Sequence, residues 1–98
     1  MSEFLVELYV SRGDNDDARR RAERARQAAE ELQGEGTRVR YLRSFHLPED
    51  ETCFFLYEAA SAAAVREVML RSALPCERVA EVASWPERHI IAEGELTA

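Results

Sequence analysis

Lysine is missing from this 98-residue chain: all 13 basic residues are arginine, set against 19 acids for a net charge of −6. An acidic chain lacks the positive stripe that phosphate backbones require, which argues against a nucleic-acid binder. The arginine bias, alongside the many alanines, fits codon usage in a G+C-rich genome better than a chemical role. Cysteine is scarce as well. Cys53 and Cys76 have no CxxC spacing, which excludes a disulfide framework and leaves two free thiols in a reducing cytoplasm. No apolar run approaches the ~20 residues of a membrane span. The opening MSEFLVELYV carries Glu3 and Glu7 where a signal peptide would be basic and then apolar. The expectation is a cytoplasmic protein with no membrane partner.

What is present suits one small domain. Apolar residues make up 46% and charged residues 33%, a globular rather than a disordered composition. A chain of this size buries about 60–65% of its unfolded surface, so its core is shallow and self-association would help it.

Hydrophobic periodicity supplies the order of elements. Glu3 to Val10 alternates, with Phe4, Val6, Leu8 and Val10 on one side and Leu5, Glu7 and Tyr9 on the other. Gly13 breaks this strand and Asp14 caps a helix, with Asp16 and Asp17 in its first turn. Ala18, Ala22, Ala25, Ala29 and Leu32 recur at helical spacing until Gly34 or Gly36. This alanine stripe lets the helix lie close to what it covers, with a small core contribution per residue.

Arg38 to Leu47 alternates again, Pro48, Glu49 and Asp50 turn the chain, and Glu51 to Glu58 returns. Ser61 caps a second helix with a stripe of Ala64, Val65, Val68, Met69 and Ser72, and Pro75 stops it. Glu77 to Trp85 makes a last strand. The order is β-α-β-β-α-β, the ferredoxin-like arrangement of the α+β class, with a four-stranded antiparallel sheet covered by helices on one face. Residues 1–84 form this domain, and 85–98 form a tail that adds an edge strand or extends freely.

A three-residue turn at Pro48 to Asp50 places Phe45 opposite Cys53, Arg43 opposite Phe55 and Tyr41 opposite Tyr57. In that register Phe4, Val6, Leu8, Leu42, Phe54, Leu56, Ala80 and Val82 face the helices. Leu5, Glu7, Tyr9, Tyr41, Arg43, Phe45, Cys53, Phe55, Tyr57, Val79 and Glu81 form the open face. So apolar a face calls for cover, and the expectation is a homodimer whose two sheets meet in a dimeric α+β barrel.

The chain resembles a family of small bacterial nickel-binding-type proteins with a ferredoxin-like fold. The resemblance runs through EFLVELYV, the run EGTRVRYLRSFHLPEDETCFFLYEA and SAAAVREVMLRSALPCERVAEV, with YLRS and PEDETCF its most specific parts. It implies the fold, the homodimer and surface binding of Ni²⁺ or another divalent metal, and it supplies no reaction and no organic cofactor. The chain departs from the family in its Asp- and Arg-rich stretch Ser11 to Arg26, and in the tail WPERHIIAEGELTA.

The residues themselves offer two candidate sites. His46 supplies an imidazole and Glu49, Asp50 and Glu51 supply oxygens at the acidic turn, a donor mixture that suits nickel, copper or zinc. His46 and Cys53 fall on opposite faces in the register above, so this perch is shallow and a second subunit would complete it. His89 in the tail is a further metal candidate. The competing reading is an ordinary Pro-Glu-Asp hairpin turn, and it is the leading one.

The second site is an inter-sheet pocket in which Glu7, Tyr9, Tyr41, Arg43, Tyr57 and Glu81 converge. There a carboxylate kept from water could serve as acid or base and Arg43 could hold an oxyanion, the equipment of a small-molecule enzyme or carrier. Against it stands simple pairing of Arg43 with Glu7 or Glu81, and tyrosines that only seal a dimer. Cys53 reads as a buried, inert thiol. The arginines from Arg19 to Arg26 read as a solvated helix face neutralised by Asp16, Asp17 and Glu23.

Overall fold

A computed structural model describes residues 1–85. Alternating, β-prone sequence makes strand β1 at Ser2–Tyr9, and Asp14 then caps helix α1, Asn15–Gly34, by accepting from the Asp17 amide. Strand β2, Val39–Leu47, leads through a single 3-10 turn at Pro48–Asp50 into β3, Thr52–Ala59. Ser61 caps helix α2, Ala62–Ser72, with its side chain on the Ala64 amide, and β4 follows at Arg78–Val82. Every strand pairing is antiparallel, and the sheet order is β2-β3-β1-β4. This is the ferredoxin-like α+β fold expected from the element order.

The helices cover one face. Ala18, Ala25, Ala28, Ala29 and Leu32 of α1 are buried, as are Val65, Val68 and Met69 of α2. Alanines along α1 keep that helix near the strands, while larger side chains from the sheet fill the space. Val6, Leu8, Phe55 and Tyr57 reach zero exposure, and each such residue contributes about 1.5–3 kcal/mol of apolar burial. One ion pair and one hydrogen bond to a backbone carbonyl tie the C-terminal cap of α1 and its middle to α2. Arg71 of α2 grips both carboxylate oxygens of Glu35 at 2.6 and 3.0 Å, and Arg24 of α1 donates to the Ser72 carbonyl at 2.5 Å.

The register differs from the sequence expectation and inverts much of the face assignment. Leu47 pairs with Thr52, so the turn is four residues long, and Glu51 closes it in the left-handed region at φ 50°. Phe45 therefore stands opposite Phe54 and Arg43 opposite Leu56, not opposite Cys53 and Phe55. A bulge between Tyr41 and Arg43 absorbs the extra residue, so the Tyr41–Tyr57 pairing is as expected. Pairing with β1 puts Tyr57 beside Phe4, Phe55 beside Val6 and Cys53 beside Leu8. Cys53, Phe55, Tyr57 and Tyr41 thus lie under the helices, while Phe54 and Leu56 lie on the open face. In β4, Val79 pairs with Val6 and Glu81 with Phe4, on the helix side, leaving Ala80 and Val82 open. The cause is local. Both faces of TCFFLYEA are apolar, so alternation alone carries no sign for which face goes in.

Candidate functional site

The open sheet face is built from Leu5, Leu42, Phe45, Phe54, Leu56 and Val82, with charge along its margins. Phe45 remains 39% exposed and packs its ring 6.3 Å from Phe54, while the Arg43 guanidinium sits 5.5 Å over the Phe45 ring. Glu7 pairs with Arg78 at 3.5 Å and Glu58 with Arg40 at 3.0 Å. Beyond β4 the chain bends over this face. Ser84 donates to Glu3 at 3.3 Å, and Trp85, 71% exposed, walls a hollow of about 660 Å³ with Leu42, Arg43, Leu56 and Val82. An apolar floor, an arginine and an aromatic wall make a surface suited to contact with another molecule.

The six residues expected to converge in an inter-sheet pocket do not meet. Glu7, Tyr9 and Arg43 belong to the open side, but Tyr41, Tyr57 and Glu81 belong to the helix side. Tyr57 is fully buried, with its hydroxyl 3.8 Å from the Met69 sulfur, and burial pushes its phenol far up. Burial raises the Tyr41 phenol as well, and the Tyr41 ring stacks edge-on to Phe55 and Tyr57. Tyr57 is core, and Tyr41, partly buried, packs against it. Tyr9 stands at the end of β1, its hydroxyl 3.5 Å from Glu51.

The acidic turn is organised by a residue that sequence reasoning passed over. The Arg12 amide donates to the Glu51 carboxylate at 3.0 Å, and the Arg12 guanidinium reaches the Glu49 carbonyl at 3.3 Å and its carboxylate at 3.8 Å. The Asp50 carbonyl accepts from the Thr52 hydroxyl at 2.8 Å, and the Asp50 residue itself is exposed. Glu49 and Glu51 thus tie the β1–α1 loop to the hairpin.

His46 turns away from them. The bulge places it on the helix side, directly opposite Cys53, a correction to the expectation that the two occupy opposite faces. Its Nδ1 lies 2.6 Å from the Asn15 Oδ1 at the start of α1, while Nε2 is buried without a hydrogen-bond partner. A cavity of about 210 Å³ lies here, with Asn15, Arg19, Ser44, His46 and Cys53 in its walls. Burial raises the Cys53 thiol, opposed by the nearby Arg21 charge. Asn15 had no signal in the sequence beyond following the helix cap.

The turn therefore does not gather His46 with Glu49, Asp50 and Glu51. Among the described residues no three His, Cys, Asp or Glu side chains come together in a cluster able to hold a metal ion, so those residues of one chain alone offer a nickel-type ion no closed donor set. His89 lies outside the described residues. Among those residues, too, no helix is long and apolar enough to cross a membrane.

Comparisons with known proteins agree with this architecture. No curated protein matches the sequence. The crystal structure of SCO4226 from Streptomyces coelicolor A3(2) superposes with a TM-score of 0.68 at 24% identity, covering 87% of this chain and 100% of that one, a likeness of fold. Residues 4–82 match the family described as nickel responsive protein SCO4226-like. From β1 to the end of β4 this chain is one of that kind, and it belongs to the nickel-responsive SCO4226-like family.

Proposed function

We propose that this protein works in the cytoplasm as a non-catalytic homodimer, joined sheet to sheet, that binds a divalent ion of the nickel class with donors drawn from both copies. The observation that carries the reading is the uncovered sheet face, where Phe45, Phe54, Leu5, Leu42, Leu56 and Val82 form a continuous apolar surface in a domain too small to hide it alone. Family membership supports the relation to nickel. One chain gathers too few donors among its described residues, so the ion requires a second copy or donors beyond residue 85.

The test reads assembly and metal separately. Sedimentation equilibrium at micromolar concentration is expected to give a dimer, and Phe54→Arg, which places a charge in the middle of the face, is expected to give a folded monomer. Calorimetry with Ni²⁺ is expected to give binding by the dimer and none by the Phe54→Arg monomer. A parent protein that stays monomeric overturns the assembly. A dimer with no heat of Ni²⁺ binding overturns the metal half.

A second reading rests on the hollow of about 660 Å³ beside Trp85. Covered by a second sheet, it would enclose a space of the size that small ligands occupy, and the protein would be a small-molecule carrier. Arg43 in its wall favours an anionic ligand.

A further inference from the structure

The contact between His46, Cys53 and Asn15 has no part in the dimer face or in the acidic turn. It lies on the helix side of the sheet, beneath the first turns of α1. Three features there call for a ligand. With Asn15 Oδ1 accepting at 2.6 Å, His46 Nδ1 carries the proton, and in the neutral ring this leaves a bare lone pair on Nε2. That Nε2 is buried and meets no donor, an arrangement native proteins avoid because an unsatisfied buried acceptor costs about 1–3 kcal/mol. Cys53 is the direct cross-strand partner of His46, 2% exposed, on the same cavity wall.

We propose that His46 Nε2 and Cys53 Sγ bind one soft monovalent cation of the copper(I) type in two-coordinate fashion. Directly opposed residues in an antiparallel pair hold their Cβ atoms about 4.5–5.5 Å apart. Thiolate and imidazole bonds to a metal of about 2.0–2.3 Å place S and N roughly 4 Å apart across a linear ion, within reach of such a pair. Thiolate selects soft ions, and imidazole accepts them. Asn15 acts behind the metal, fixing the tautomer and ring orientation as partners of metal-bound histidines do.

Charge decides the valence. Binding exchanges the thiol proton, released to solvent, for the ion, and no electron moves. One thiolate and one neutral imidazole around a monovalent ion sum to zero, which a buried site tolerates. A divalent ion would leave a net positive charge in the same cavity wall as Arg19 and close to Arg21, a burial that is costly without a counter-charge. Two protein donors are also too few for the tetrahedral or octahedral shells that divalent ions adopt. The site is thus independent of the nickel reading, and either can fail without the other.

The experiment uses the full chain with Cys76→Ser, so that Cys53 is its sole cysteine, and an anaerobic competition for copper(I) against a coloured chelator such as bicinchoninate. The expected result is one ion per chain. Cys53→Ala is expected to abolish binding, His46→Gln to weaken it by at least 10-fold, and Asn15→Ala by about 10-fold or more through the lost orientation of the ring. Circular dichroism checks that each variant folds. Should a variant unfold, X-ray absorption on the loaded Cys76→Ser protein decides, since one sulfur and one nitrogen in a two-coordinate shell supports the proposal. No copper(I) binding, affinity unchanged in folded His46→Gln, or a sulfur-only shell overturns it.

Discussion

Tyr41 stands opposite Tyr57 with their rings edge to face, centroids 5.7 Å apart, while Arg43, two residues further along β2, already pairs with Leu56. Leu42 is the residue in excess. Its bulge lets Tyr41 point under the helices and still returns Ser44 and His46 to that same side, so Arg43 and Phe45 face outward.

Deleting Leu42 is therefore expected to leave a regular ladder with every later side chain on its present face. The fold should survive, with a loss inside the ordinary 0.5–3 kcal/mol of single changes. Deleting Ser44 instead lets the bulge close only by turning Arg43 inward opposite Phe55, which places a charge under the helices, and should cost more. Urea denaturation of both variants checks this. Equal losses would mean that the bulge does not set the faces.

The close approach of α1 makes its alanines intolerant of size. Ala25 has zero exposure and Ala22 is only partly buried. Ala25→Leu should destabilise by about 1–3 kcal/mol through overpacking, and Ala22→Leu by clearly less. Thermal or chemical denaturation distinguishes them.

Ala73 ends α2 in the left-handed region, φ 57° and ψ 38°, with its amide on the Leu70 and Met69 carbonyls. An L side chain there costs roughly 1–2 kcal/mol that glycine avoids. After the extra chain entropy of glycine is subtracted, Ala73→Gly should stabilise by up to about 1 kcal/mol. A lower denaturation midpoint in the variant would contradict this account of the cap.

Burial raises both the Cys53 thiol and the Tyr57 phenol. A group whose folded value lies above its unfolded value stabilises fully below the unfolded value and loses that contribution as pH rises toward the folded one. Stability should thus be level near neutrality and fall above about pH 8.5, where an unfolded cysteine ionises, then again near pH 10 for tyrosine. Tyr57→Phe gives up only the long 3.8 Å contact with the Met69 sulfur, so it should change stability at pH 7 by less than about 1 kcal/mol. It should also resist alkali better than the parent. Urea midpoints across the alkaline range check both halves.

Much of the fold was legible in the sequence because it rests on local signals. Asp14 and Ser61 are the caps that the structure uses. Ala18, Ala25, Ala29 and Leu32 of the α1 stripe and Val65, Val68 and Met69 of α2 are buried as expected, Ala22 only in part, and the element order matches throughout. The candidate site was less legible. Pairing with Phe4 of β1 took Tyr57 and Glu81 to the helix side, and the four-residue turn with the Leu42 bulge parted Tyr41 from Arg43, so these three left the face on which Glu7 and Arg43 remain. Arg12 and Asn15 carried no sign of their roles, since each acts on a residue more than 30 positions away.

The sequence by itself determined the elements, their order and the surplus of apolar surface, because period, capping and composition act within a few residues of the chain. Only the tertiary structure decided which face of β3 turned inward and that His46 meets Cys53. Both sides of TCFFLYEA are greasy, so its own alternation is silent. The choice falls to its pairing with Phe4, Val6 and Leu8, whose polar neighbours admit burial on one side alone.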